Sequence, residues 1–356
     1  MKILEYMERY DYEQLVFCQD RGAGLKAIIA IHDTTLGPAL GGARMWPYPS
    51  EGEAILDALR LGRAMTYKAA AAGLPLGGGK AVIIGNAATD KTEALFRSLG
   101  RYVEALGGRY ITTEDVGTSV SDITWVRQET THVAGLPISA GSSGDPSPLT
   151  ALGVYCGMQA CAEEVWGSDS LRGKTVAIQG LGKVGYALAR LLQESRANLI
   201  VTDVNEKVAQ RAKKELGATL TSIDGIYDAE CDFFSPCALG AVLNEKTIPR
   251  LTCRVVAGCA NNQLQHEEDG EELARRGILY APDYIINAGG LINISVELEP
   301  TGYNPAEAEA KVRAVHDTVA RVIALAKAEG VSTARAADRL AEQRIASVRG
   351  IKRLYL

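Results

Sequence analysis

Two lysines stand twelve residues apart in the stretch Thr66-Tyr67-Lys68-Ala69-Ala70-Ala71-Ala72-Gly73-Leu74-Pro75-Leu76-Gly77-Gly78-Gly79-Lys80. The first falls at the end of a helix-like run and the second follows three glycines. Three glycines remove all packing side chains and let a backbone approach a small ligand closely. A flexible surface loop carrying a solvated lysine is one reading of this pattern. Apolar residues on both sides, Leu74 and Leu76 before and Ala81-Val82-Ile83-Ile84 after, favour the wall of a buried pocket. A lysine amine in such a wall loses hydration, its pKa falls, and it can act as a general base near neutral pH. A paired Glu114-Asp115 follows the strand-like Tyr110-Ile111-Thr112-Thr113 and precedes Gly117. That placement suits a reactive site, a solvated turn being the alternative.

A second chemistry lies further on. The strand pattern Thr175-Val176-Ala177-Ile178 runs into Gly180-Leu181-Gly182-Lys183-Val184-Gly185, a helix pattern follows, and a further strand ends in Asp203, 23 positions past the first glycine. These glycines permit a tight turn, approach of the backbone to a pyrophosphate and close helix–strand packing. The helix N-terminus favours the phosphate charge. Asp203 suits the adenosine ribose hydroxyls and repels a 2′-phosphate; no arginine follows in Val204-Asn205-Glu206, so the pattern predicts NAD rather than NADP. Three later strand-like runs end in loops carrying Cys237-Ala238, Asn261-Asn262 and Asn287-Ala288-Gly289-Gly290. Amides at the carboxyl edge of a parallel sheet can bond a ribose, a nicotinamide carboxamide or a substrate carboxylate without adding charge.

The elements that must position these groups are legible in outline. Residues 11–33 read as two strands, 51–72 as a helix with Lys68 on its last turns, and Asp90 with Glu93 as a capping box opening the next helix. A further glycine site is read at Gly37-Pro38-Ala39-Leu40-Gly41-Gly42-Ala43-Arg44. The run Gly141-Ser142-Ser143-Gly144-Asp145-Pro146-Ser147-Pro148 reads as a linker with a domain boundary near it. Asn304-Pro305 opens one long helix ended by Gly330, and a second amphipathic helix closes the chain.

Size and composition narrow the class. A chain of 356 residues predicts two domains, and 47% hydrophobic with 23% charged residues is ordinary for globular proteins. A net charge of −5 argues against nucleic acid or anionic membrane as partner. Seven cysteines without a Cys-x-x-Cys give no zinc or redox motif, and no metal site is expected. Neither a signal core nor a membrane-length apolar run occurs, which predicts a cytoplasmic protein. Of the histidines, His32 at a strand end reads as structural rather than as a catalytic base.

Several further motifs appear in order: Tyr10-Asp11-Tyr12-Glu13-Gln14, His32-Asp33-Thr34-Thr35-Leu36-Gly37-Pro38, Ala260-Asn261-Asn262-Gln263 and Ala281-Pro282-Asp283-Tyr284. With the lysine stretch, Glu114-Asp115-Val116-Gly117 and the nucleotide pattern, the chain resembles the Glu/Leu/Phe/Val amino-acid dehydrogenase family over nearly its whole length, nearest its leucine-specific members. The resemblance implies an α/β fold of two domains around a cleft. An N-terminal α/β catalytic and oligomerisation domain, residues 1–140 plus 331–356, would face a Rossmann NAD-binding domain, residues 141–330. The implied reaction is reversible NAD-dependent deamination of branched-chain L-amino acids to 2-oxo acids and ammonium, by a homo-oligomer, commonly an octamer.

The resemblance also implies roles. Lys68 binds the substrate carboxylate with Gly41, Gly42 and Asn262; Lys80, its pKa lowered by burial and by the neighbouring Lys68, activates water; Asp115 binds the substrate ammonium. Thr150 holds the nicotinamide carboxamide, beside a cofactor set of Gly180 to Gly185, Asp203, Cys237, Ala238, Ala260, Asn261, Asn262 and Asn287. Leu40, Met65, Thr113, Leu291 and Ile294 line the side-chain pocket, with no lysine for a γ-carboxylate. The rivals are a phenylalanine dehydrogenase of the same family and a non-catalytic NAD-binding regulator, which would have no reason to keep Lys68, Lys80 and Asp115 together.

Overall fold

The structure is a computed structural model that describes residues 2–352. Of the terminal segment expected in the first domain, 353–356 lie outside the described residues. The chain divides into two compact units. The first takes in the residues up to Asp145, Ile294–Asn304 and the chain from Ala341 on; the second comprises Pro146–Asn293 and Pro305–Leu340. The first crossing falls inside the 141–148 segment, but residues 294–304 belong with the first unit and the final return comes at 341 rather than 331.

The first unit contains α1 (Ile3–Tyr10), β1 (Gln14–Asp20), β2 (Leu25–Asp33), β3 (Ala39–Trp46), α2 (Glu51–Ala71), β4 (Gly77–Ile84), α3 (Glu93–Ala105), β5 (Tyr110–Glu114) and α4 (Val120–Arg127). Its sheet runs β1-β2-β4-β3-β5; β1, β2 and β4 pair antiparallel, whereas β3 pairs parallel with both β4 and β5. Helix α3 packs Phe96 on one face of the sheet over Ile29 and Ile31, and α2 packs Leu59 on the other over Ile28 and Val82. The Ser50 hydroxyl caps α2 by accepting from the Glu53 amide at 3.3 Å, acids occupy the first turn and Lys68 the last, and Gly73 ends it with φ +72°.

Two readings are corrected here. Gly77-Gly78-Gly79 is not a loop but the opening of β4, while the glycine site at Gly41-Gly42 lies within β3. Their missing side chains have a packing purpose: a methyl on Gly78 would sit 2.0 Å from the Thr66 amide nitrogen, and one on Gly77 2.0 Å from the Asp33 carbonyl oxygen. Helix α2 therefore lies directly on the strand. The helix after Asp90 is capped by Thr92, which accepts from the Leu95 amide at 3.1 Å, while Asp90 accepts from the Asn86 amide.

The second unit opens with α5 (Ser147–Trp166), β6 (Thr175–Gln179), α6 (Lys183–Glu194), β7 (Asn198–Thr202), α7 (Glu206–Leu216), β8 (Thr219–Leu220), β9 (Phe233–Pro236) and β10 (Val255–Val256). Then come α8 (Glu268–Arg275), β11 (Leu279–Tyr280), α9 (Asp283–Ile286), α10 (Gly289–Glu297), α11 (Pro305–Arg313), α12 (Val315–Glu329) and α13 (Thr333–Lys352), the ends of α10 and α13 passing into the first unit. Its sheet, β11-β10-β9-β6-β7-β8, is parallel throughout. Its central strands are fully buried, and the runs are apolar because both faces are covered. The helix expected from Asn304 to Gly330 is two helices, broken at Ala314.

Candidate active site

Lys80 is a charged residue in the middle of a buried sheet, 5% exposed. Its ammonium donates to Asp115 Oδ2 at 2.8 Å. The pair forms across a strand. Leu40 faces Gly78 and Ala43 faces Ala81, so Gly42 falls opposite Lys80, and its other neighbour is Thr113 on β5. A methyl on Gly42 would stand 2.7 Å from Asp115 Cβ, and one on Gly41 1.7 Å from the Gly79 carbonyl oxygen. The glycines of β3 thus clear the space through which β4 and the end of β5 reach each other. Thr118 holds the turn by donating to the Ala43 carbonyl and accepting from the Asp115 amide.

A third group shares the carboxylate. Arg44 Nε donates to the same Asp115 Oδ2 at 2.9 Å, and its Nη1 reaches Asp57 Oδ2 on α2 at 3.1 Å. Tyr48 donates to that Asp57 oxygen at 2.5 Å. Burial pushes the Asp115 carboxyl up, but the Lys80 and Arg44 cations outweigh it and hold it below the usual carboxylate range. Lys80 meets a carboxylate, and Arg44 is a second cation on that same carboxylate, a contact not expected from the sequence. Both cations occupy Oδ2, which leaves Oδ1 for a substrate.

Of the other expected site residues in the first unit, Lys68 and Met65 are half-buried on α2, and Leu40 is fully buried on β3. Thr113 is buried with its hydroxyl unpartnered, and a methyl on Gly135 would lie 2.5 Å from that oxygen. His32 is a satisfied structural residue: Nδ1 meets the Thr66 hydroxyl at 2.8 Å and Nε2 the Tyr10 carbonyl at 3.0 Å.

In the second unit the glycine pattern spans the β6–α6 turn. Gly180 has φ +102° and packs against Ala238; a methyl on Gly185 would come 2.2 Å from the Gly180 carbonyl oxygen; around Gly182 the space is open. The N-cap of α6, Gly182, makes no side-chain cap, and the first turn carries Lys183 and Val184, the arrangement of a helix N-terminus that can face an anion. Asp203 follows β7 directly and accepts from the Leu181 amide at 2.6 Å and the Asn205 amide at 2.7 Å. Cys237 stands beside Gly185, and Ala260 is tied to Pro236 through its amide. Asn287 donates to the Asn261 side chain at 2.8 Å and the Cys259 carbonyl at 3.0 Å, while its own buried Oδ1 has no partner. Asn262 adopts φ +53°. Thr150 donates to the Pro146 carbonyl on α5 at 3.0 Å, and Leu291 and Ile294 lie on α10, buried and half-buried.

Residues 13–132 match the model of the Glu/Leu/Phe/Val dehydrogenase dimerisation domain, and residues 141–210 and 201–350 match that of glutamate/leucine/phenylalanine/valine dehydrogenase. The chain belongs to the Glu/Leu/Phe/Val dehydrogenase family. Among relatives, it is 58% identical over 356 residues to leucine dehydrogenase of Thermoactinomyces intermedius, covering 100% of this chain and 97% of that protein. It is 48% identical over 348 residues to L-tryptophan dehydrogenase of Nostoc punctiforme, covering 98% and 97%. The crystal structure of L-tryptophan dehydrogenase from Nostoc punctiforme superimposes with a TM-score of 0.86 at 46% identity, covering 98% of this chain and 99% of that one.

As a member of this family the protein is an amino-acid dehydrogenase that works with a pyridine nucleotide. The second unit fits such a group. The open space at Gly182, the uncapped N-terminus of α6, the Asp203 carboxylate and the unpartnered Asn287 Oδ1 supply a pyrophosphate seat, a ribose acceptor and an amide acceptor. Among the described residues no acid, His or Cys cluster could hold a metal ion, and no helix is long and apolar enough to cross a membrane. Arg44, Asp57 and Tyr48 were not singled out from the sequence. The available signal was an arginine two residues past a glycine pair in a buried strand, and an acid on the helix that carries Lys68.

Proposed function

We propose that this dehydrogenase oxidatively deaminates branched-chain L-amino acids with NAD, reversibly, giving the 2-oxo acid, ammonium and NADH. The observation that carries this reading is the ion pair of buried Lys80 with half-buried Asp115, built across glycines of the intervening strand. The 58% identity to a leucine dehydrogenase supports the substrate class. The bound nicotinamide supplies the hydride acceptor. Lys68 anchors the substrate carboxylate, a role shared in this reading by Gly41, Gly42 and Asn262. Asp115 receives the substrate ammonium on Oδ1 and accepts or relays its proton. Lys80, in its neutral form, accepts a proton from water as the water oxygen adds to Cα of the substrate iminium. It then returns the proton to the departing amine.

Asp203 favours NAD, because its carboxylate accepts ribose hydroxyls and opposes a 2′-phosphate. Thr150, Ala238, Asn261 and Asn287 complete the cofactor set, and Leu40, Met65, Thr113, Leu291 and Ile294 the side-chain pocket. A homo-oligomer, an octamer by likeness to leucine-specific members, and a cytoplasmic location are part of the same reading. The family description of residues 13–132 as a dimerisation domain supports the assembly.

The test is NADH formation at alkaline pH on L-leucine, L-valine, L-isoleucine and L-phenylalanine. Turnover favouring the branched chains is expected; a preference for phenylalanine would replace the substrate assignment. Lys80→Ala should bind NADH normally and lose about 10²–10⁴ in kcat. Wild-type turnover in that variant would remove Lys80 from the chemistry.

A further inference from the structure

The Asp115 carboxylate carries two cations on one oxygen, and only one of them can give up its proton. Lys80 Nζ stands 2.8 Å and Arg44 Nε 2.9 Å from Oδ2. Arg44 is in turn held at 3.1 Å by Asp57, and Asp57 by the Tyr48 hydroxyl at 2.5 Å. The side chains of Lys80, Asp115, Arg44 and Asp57 are 6%, 23%, 24% and 29% exposed, so water screens none of them fully.

A lone buried ammonium–carboxylate pair opposes the use of its lysine as a base. Deprotonation would strand an uncompensated carboxylate, which is costly in a poorly hydrated site. A guanidinium does not deprotonate in proteins, so a second cation of that type remains on the carboxylate when the lysine becomes neutral. It also repels the ammonium. Arg44 has that place, and the Asp57–Tyr48 pair fixes its far side so that it cannot swing away.

We infer that Arg44 is a positioning residue of the deamination: it holds the Asp115 carboxylate in place and supplies the permanent charge that lets Lys80 exchange its proton. This rests on the reading of Lys80 as the proton-transfer group. The charged and titratable groups linked to the pair are Arg44 and Tyr48 on and after β3, Asp57 on α2 and Tyr110 on β5, and the elements packed around it also carry Glu114 on β5 and Lys68 on α2. Tyr110 is engaged by donating to the Gly41 carbonyl at 2.6 Å. Arg44, bonded to Asp115, and Asp57, bonded to Arg44, can each be changed while Lys80 and Asp115 themselves are kept. A residue that merely clamped β3 to α2 would affect rate or stability when replaced, but would leave the pH dependence of the chemistry where it was.

The experiment is the pH profile of kcat/KM for L-leucine, with NADH binding followed by fluorescence at each pH, in the full-length protein and in Arg44→Met, Arg44→Lys, Asp57→Asn and Lys80→Ala. In Arg44→Met the acid limb should move to higher pH by about one unit, the scale on which a neighbouring charge acts. Arg44→Lys should lower the rate yet keep the limb near its wild-type position. Asp57→Asn removes an anion while Arg44 stays, so its limb should move the other way, to lower pH. An unmoved limb in a folded Arg44→Met overturns the inference. If that variant does not fold, Asp57→Asn decides: a downward shift supports the role and an unmoved or upward limb refutes it. Wild-type turnover in Lys80→Ala would sink the underlying reading. An inactive Lys80→Ala together with an unmoved Arg44→Met limb would sink this inference alone.

Discussion

At the scale of single residues, the chain places charge where burial makes it consequential. Asp203 is held by two backbone amides and has no cation to neutralise it in the Val204–Glu206 turn. Asp203→Ala should therefore weaken NADH by about tenfold, the scale of a charge-assisted hydrogen bond, and NADPH by much less. Fluorescence titration of both nucleotides checks this, and an unchanged ratio of affinities would refute the ribose contact. His32 shows burial acting in the opposite sense on a base. Desolvation pushes its pKa down to about 4, against the smaller upward pull of the Tyr10 carbonyl and Asp33. The unfolded chain takes up this proton near pH 6.5 and the folded chain resists it, so stability is intact above that pH and falls from there towards pH 4. The loss at the acid end amounts to about 3 kcal/mol. Urea unfolding at pH 7 and pH 4.5 should show a smaller difference in His32→Gln than in the wild type; an equal difference would show that His32 does not titrate in this way.

At the scale of elements, the catalytic geometry comes from two strands and a helix brought closer than side chains would permit. Gly78 admits Thr66 of α2, and Gly41 and Gly42 admit β4 and Asp115. Gly78→Ala puts a methyl 2.0 Å from a backbone nitrogen, where no rotamer change relieves it. Overpacking of this kind costs roughly 1–3 kcal/mol or more. The urea midpoint should fall accordingly, and activity should fall with it because the helix that moves carries Lys68. A variant with wild-type midpoint and turnover would show that the strand has slack here. The triple glycine read as a pocket loop on its composition, whereas its role is to let secondary structures touch. Glycine content is ambiguous between those two until the neighbour across the gap is known.

At the scale of the whole molecule, the chain leaves the first unit near residue 145 and revisits it twice. The first return is anchored by Glu297. Its carboxylate accepts from the Gly135 amide at 2.9 Å, the Ser142 hydroxyl at 2.5 Å, the Ser143 amide at 3.0 Å and the Ser143 hydroxyl. The glycine- and serine-rich run from 141 is thus a set of donors gathered on one acid, with its last residues already in α5. Glu297→Ala should leave those donors unpaired, cost about 1–3 kcal/mol, and open residues 135–145 to limited proteolysis. Unchanged melting and cleavage would mean that water replaces the carboxylate without loss.

What the sequence determined by itself was whatever depends on local order. Hydrophobic period marked β1, β2, α2 and β6 to β7, and the glycine spacing with its acid at 203 marked the nucleotide unit. Lys80 and Asp115 were singled out by residue type and by their place next to glycines. What tertiary structure decided was who meets whom. Asp115 reaches Lys80 only because β3 lies between their strands and lacks side chains there, and Arg44 joins them because α2 presents Asp57 to its far side. Such contacts join residues up to 71 positions apart. No local period encodes them, because strand order and helix placement are set by burial of the whole apolar surface.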